Sequence, residues 1–83
     1  MAFSLVYSAT ARKDIEKLDS VVKKRIGKKI LILQTNPFKY SKKLTNLKSP
    51  LYRLRVGDYR IVYQVVKNQV FILRVGHRST IYR

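Results

Sequence analysis

The side chains of this sequence best suited to chemistry are Arg53, Arg55, Arg60, His77, Arg78 and Tyr82, carried by LYRLRVGDYRIVYQV and VGHRSTIYR. Guanidinium groups stay charged and match a phosphate with a rigid two-pronged fork. A histidine titrates near neutral pH and could move protons. A tyrosine among cations could do the same if they lower its pKa, or it could stack on a base. The chain offers no paired carboxylate in this basic half, no Ser-His-Asp order, no glycine-rich phosphate loop and no cysteine, and a lone histidine cannot build a metal site. Metal-free cleavage of RNA, without a cofactor, is the reaction such a set supports. There the substrate brings its own nucleophile, the ribose 2′-OH. The protein need only orient it, shift protons and stabilise the charge of the phosphorane.

Each residue also has a plainer reading. Arg53, Arg55 and Arg60 could form a solvated sheet face on a basic protein, and Tyr82 could be one more packing aromatic. His77 and Arg78 could be a strand end reaching solvent. Gly76 just before them predicts a β-bulge, which leaves the direction of both side chains open.

The element that must position the arginines is a hairpin. Gly57 supplies the positive φ of a type II′ turn at Val56-Gly57-Asp58-Tyr59. With a two-residue loop, Val56 faces Tyr59, Arg55 faces Arg60, Leu54 faces Ile61 and Tyr52 faces Tyr63. Alternation then puts Tyr52, Leu54, Val56, Tyr59, Ile61 and Tyr63 on one face, and Arg53, Arg55 and Arg60 on the other. Val62, Phe71 and Leu73 share the arginine face in the same register. Like charges directly opposed across a ladder destabilise it. No acid is placed there to relieve them, so the face behaves as though its anion comes from another molecule.

Composition narrows the partner. The 83 residues make one small domain, residues 1–83, with 19 Lys and Arg against 4 Asp and Glu, a net charge of +15 and a pI near 10.6. That balance favours a polyanion or an acidic protein. A hydrophobic content of 46% in regular periods excludes a disordered basic tail. No apolar run reaches the length of a membrane span, and no basic segment precedes the first apolar residues as in a signal peptide, so a cytoplasmic protein is expected. Lysines dominate residues 1–50, whereas residues 51–83 carry arginines and only Lys67. The second helix, rich in lysine, reads as a solvated face, or alternatively as a surface for a large RNA.

Along the chain, Ala2 to Tyr7 alternates as a strand. Ser8 or Thr10 caps a helix reaching about Leu18, with Ala11, Ile15 and Leu18 inward. Ser20 is expected to cap a second helix on which Val22, Ile26, Ile30 and Leu33 recur, stopped at Asn36-Pro37. In the basic connection to Pro50, Leu44 and Leu47 pin the chain or add a short strand. Strands follow at about 52–56, 59–66 and 69–75. The expected fold is α+β: an N-terminal strand and a helical hairpin packed on an antiparallel sheet of about four strands.

The order KKL, LYRLRVGDYRIVYQV, VGHRSTIYR resembles the RelE/ParE superfamily of toxins from prokaryotic toxin–antitoxin pairs, over essentially the whole chain. The resemblance implies a RelE-like ribosome-dependent endoribonuclease that cuts mRNA in the A site, leaving a 2′,3′-cyclic phosphate and a 5′-OH. It implies that Arg53 and Arg55 contact the substrate, where the RelE prototype has lysines. Arg60 would support the transition-state phosphate, Arg78 the leaving group, and Tyr82 would activate the 2′-OH. His77 stands where relatives carry lysine or, in some, keep a histidine nearby. The alternative is the ParE branch, which shares the fold but inhibits DNA gyrase without cleaving RNA. Either branch implies a cognate antitoxin, RelB-like for the first, that wraps the toxin.

Overall fold

The computed structural model describes residues 3–38, 41–43 and 51–81. In chain order the elements are β1 (Ser4–Tyr7), α1 (Ala9–Glu16), α2 (Ser20–Thr35), β2 (Ser41–Lys43), β3 (Leu51–Val56), β4 (Tyr59–Val66) and β5 (Gln69–His77). Ser8 starts α1 by accepting the Ala11 N–H at 2.9 Å through its hydroxyl oxygen. The α2 cap differs from expectation. Asp19, not Ser20, caps it, its carboxylate accepting the Val22 N–H at 3.0 Å. An acid also sits better than a hydroxyl at the positive end of the helix dipole. The helix ends where Pro37 could not continue it, at Asn36, whose N–H reaches the Ile32 carbonyl at 3.0 Å.

The sheet order is β1-β5-β4-β3-β2. Strands β2 to β5 form the expected antiparallel four, and β1 adds a fifth strand parallel to β5, pairing Ser4 to Gln69 through Tyr7 to Ile72. Leu44 and Leu47 lie outside the described residues; the short strand β2 precedes them. One sheet face buries the helices. Ala11, Ile26, Ile30 and Leu33 pack against Leu54, Val56, Ile61, Tyr63, Val70, Ile72 and Val75, so the three- and four-residue spacing on α2 meets the two-residue alternation of the strands. Tyr63 is wholly buried, and its hydroxyl donates to the Pro37 carbonyl, the partner a buried phenol requires.

The β3–β4 register is as the turn dictates: Val56 with Tyr59, Arg55 with Arg60, Leu54 with Ile61, Tyr52 with Tyr63. Gly57 holds φ at +58°, and Asp58 is not in the left-handed region, as a II′ turn requires. The bulge expected at Gly76 is elsewhere. Val62 pairs with Arg74 and Tyr63 with Ile72, which leaves Leu73 as the extra residue. Arg74 therefore takes the place opposite Val62 that an unbroken register would give Leu73. Gly76 pairs with Arg60, and His77 with Tyr59, in regular register.

Candidate nucleic-acid interface

Cross-strand partners point to the same side of a sheet, so the register decides which candidates meet. Arg55 and Arg60 stand directly opposed on the face away from the helices, and Arg53, paired with Val62, lies two residues along on the same face. Arg55 is exposed, Arg53 half-buried, and Arg60 only 6% exposed. Arg60 is held, not neutralised: its Nη1 donates to the Gly57 carbonyl at 2.8 Å and to the Tyr59 carbonyl at 2.9 Å. Carbonyls fix the fork but leave the full positive charge. None of Arg53, Arg55 and Arg60 has a carboxylate partner among the described residues.

The chain's end explains the burial of Arg60. After β5 the Thr80 and Ile81 amides both donate to the His77 carbonyl, at 3.0 and 3.1 Å, which turns the chain back on itself. A Cβ built on Gly76 would touch Ile81 Cδ1 at 3.5 Å, so Ile81 lies over the arginine face beside Arg60. Ile81 and Val62 are both buried yet outside the helix-side core. They form a small apolar roof on the arginine side. Sequence reading missed Ile81, although an isoleucine in a polar tail was the available signal. Tyr82 lies outside the described residues.

Arg78 stands by the β3–β4 turn. Its amide donates to the Asp58 carbonyl at 2.7 Å, and its Nε is 3.8 Å from the Asp58 carboxylate. That ion pair is open to water on both sides and does not immobilise the guanidinium. His77 is not brought to the arginines. It points to the helix side, its ring edge-on to Tyr59 with centroids 5.5 Å apart, and its Nδ1 is bound by the Ser79 hydroxyl at 2.8 Å and the Ser79 amide at 3.1 Å.

Arg74, the remaining described arginine of the sheet, is engaged. Strand β1 covers β5 only as far as Ile72, and α1 closes the edge beyond. Ser8 Oγ donates to the Leu73 carbonyl, and the Asp14 carboxylate accepts the Val75 N–H at 2.9 Å and Arg74 Nε at 2.9 Å. The hydrogen bond to Asp14 and its charge push the Arg74 pKa above its usual value. Between α2 and β3 a hollow of about 270 Å³ has an apolar floor, Ile32 and Leu54, and two cations at its lip, Lys29 and Arg55. Among the described residues no three His, Cys, Asp or Glu side chains come together, and no helix is long and apolar enough to cross a membrane.

The family model for the ParE toxin of type II toxin–antitoxin systems matches residues 5–82. The mRNA interferase toxin RelE of Escherichia coli K12 is 33% identical over 82 residues, covering 95% of this chain and 86% of that one. Among solved structures, the toxin–antitoxin complex RelBE2 of Mycobacterium tuberculosis superposes with a TM-score of 0.84 at 27% identity, covering 95% of this chain and 94% of that one. The isolated E. coli RelE toxin superposes with a TM-score of 0.81 at 32% identity, covering 98% and 92%.

Proposed function

Because the chain belongs to the RelE/ParE toxin superfamily, we propose that it is the toxin of a type II toxin–antitoxin pair and an mRNA interferase acting in the cytoplasm on mRNA in the ribosomal A site. The observation that carries this is the opposed pair Arg55 and Arg60, neither of which has a carboxylate partner among the described residues. In this reading Arg53 and Arg55 hold substrate phosphates. Arg60, already fixed by two carbonyls, stabilises the phosphorane without further reorganisation. The ribose 2′-oxygen attacks phosphorus, the P–O5′ bond breaks, and a 2′,3′-cyclic phosphate and a 5′-OH result. Tyr82, as its phenolate, takes the 2′-OH proton, and Arg78 balances charge on the departing 5′-oxygen. An arginine does not give up a proton near neutrality, so that oxygen is protonated by water. His77, on the other side of the sheet, stands outside this group.

The partner follows from the relatives and from charge. RelE-like chains are found in complexes with RelB antitoxins. The cation-lipped hollow between α2 and β3 suits an acidic, amphipathic segment of such a cognate antitoxin. A neighbouring reading frame should therefore encode a small protein whose co-expression abolishes toxicity; unchanged toxicity would count against the pairing.

The decisive test of the activity is primer extension on translating ribosomes with the pure protein. Cuts within A-site codons should appear with the parent chain and vanish with Arg60→Ala. The match to the ParE toxin family model keeps a second reading, the gyrase inhibition that resemblance to the ParE branch implies. Intact message together with blocked supercoiling would select it.

A further inference from the structure

The β3–β4 turn carries cations on both its sides, and the helix side has no part in the reaction above. There the Arg25 guanidinium reaches from α2 to the turn. A Cβ on Gly57 would lie 3.0 Å from Arg25 Nη2, so the planar cation rests against bare backbone. Arg25 is exposed and has no carboxylate partner among the described residues; the nearby acid Asp58 leans on Arg78 instead. His77 lies on the same side. The Ser79 amide can only donate, so His77 Nδ1 must accept, and the ring proton is carried by Nε2. The Ser79 contacts and the edge-on Tyr59 ring thus fix His77 as a hydrogen-bond donor facing away from Ser79.

We infer that Arg25, Tyr59 and His77 form a second subsite, on the helix side of the turn, for a nucleotide flanking the one that reacts. This rests on the RNA-cleaving reading. The substrate strand crosses the Gly57-Asp58 turn from the arginine face. Arg25 and His77 Nε2 then hold its next phosphate, with the Tyr59 ring edge-on to His77. Gly57 is needed for its positive φ, and a Cβ there would nudge the Arg25 guanidinium resting on it.

The test uses the full chain and fluorescent 2′-O-methyl oligonucleotides of three and nine residues, which cannot be cleaved. Binding is read by anisotropy from 50 to 200 mM salt. The Arg25→Ala/His77→Ala double variant should lose about tenfold in affinity for the longer strand, and little for the shorter. Its log affinity against log salt slope should flatten by about 0.7, one phosphate contact. Arg25→Lys, which keeps the charge, should retain the slope. An unchanged affinity and slope for the longer strand overturns the subsite. So does a variant that binds RNA normally but loses affinity for an acidic peptide, which would make this side a protein contact. Arg55→Ala is the parallel measurement: if it too binds both strands normally, the arginine-face reading fails and not merely its extension. A thermal midpoint matching the parent chain shows that any loss is not one of folding.

Discussion

Arg60 and Arg74 belong to the same sheet and are alike in chemistry, yet their surroundings assign them opposite tasks. Arg74 is provided with an acid by its own chain. Asp14 holds it and, with the same carboxylate, closes the free edge of β5 at the Val75 amide. Arg60 is more deeply buried, faces another arginine, and has only carbonyls to fix it. A buried charge costs free energy unless it is compensated, yet the carboxylate goes to the exposed Arg74 and not to the buried Arg60. The difference separates an arginine that holds the structure from one kept for a ligand.

The largest effect should come from removing the Arg60 charge while keeping its volume. Arg60→Met is expected to lower cleavage in the primer-extension assay by about 100-fold or more. Its thermal midpoint should stay level or rise, because the repulsion with Arg55 is gone. A variant that unfolded instead would make Arg60 structural, and the contrast with Arg74 would collapse. Asp14→Ala should show the reverse pattern. It leaves the Val75 amide and Arg74 without their partner, and should reduce unfolding free energy in urea by about 1.5–3 kcal/mol. Cleavage at a temperature where the variant is folded should be unaffected.

Smaller effects sharpen the contrast between the two ends of the strands. At the β4–β5 turn, far from the arginine face, Lys67 holds φ at 56°. Lys67→Gly should therefore stabilise by roughly 1 kcal/mol, since the strain of a side chain there is released. At the other end Gly57→Ala should destabilise, because it places a side chain at a positive φ. The smallest effect concerns Tyr7 on the β1 side. Burial raises its phenol above the ordinary 10.0, so the fold binds that proton more tightly than the unfolded chain does. Its contribution is complete below pH 10 and is lost as pH climbs through the raised value. Tyr7→Phe should flatten that part of the alkaline decline in a stability–pH series.

Much of this was legible beforehand because it is local. Gly57 has few turns open to it, and once the turn is set the strand period places every residue from Leu51 to Val66 on a definite face. The helix stripe of Val22, Ile26, Ile30 and Leu33 was equally plain. What escaped was contact between distant segments. Nothing near Gly76 says that the ladder slips instead at Leu73, where β1 stops covering the edge of β5 and α1 takes over. The Asp19 cap was missed by one residue, since Asp and Ser cap almost equally well.

Pattern alone thus determined the two-sided sheet, the Arg55–Arg60 opposition and the excess of positive charge, all consequences of spacing within a few residues. Tertiary structure decided which arginine found an acid sixty residues away, which lay beneath Ile81, and on which side His77 came to rest. Those outcomes depend on where the chain folds back, and electrostatic partners at such separations leave no periodic trace in the sequence.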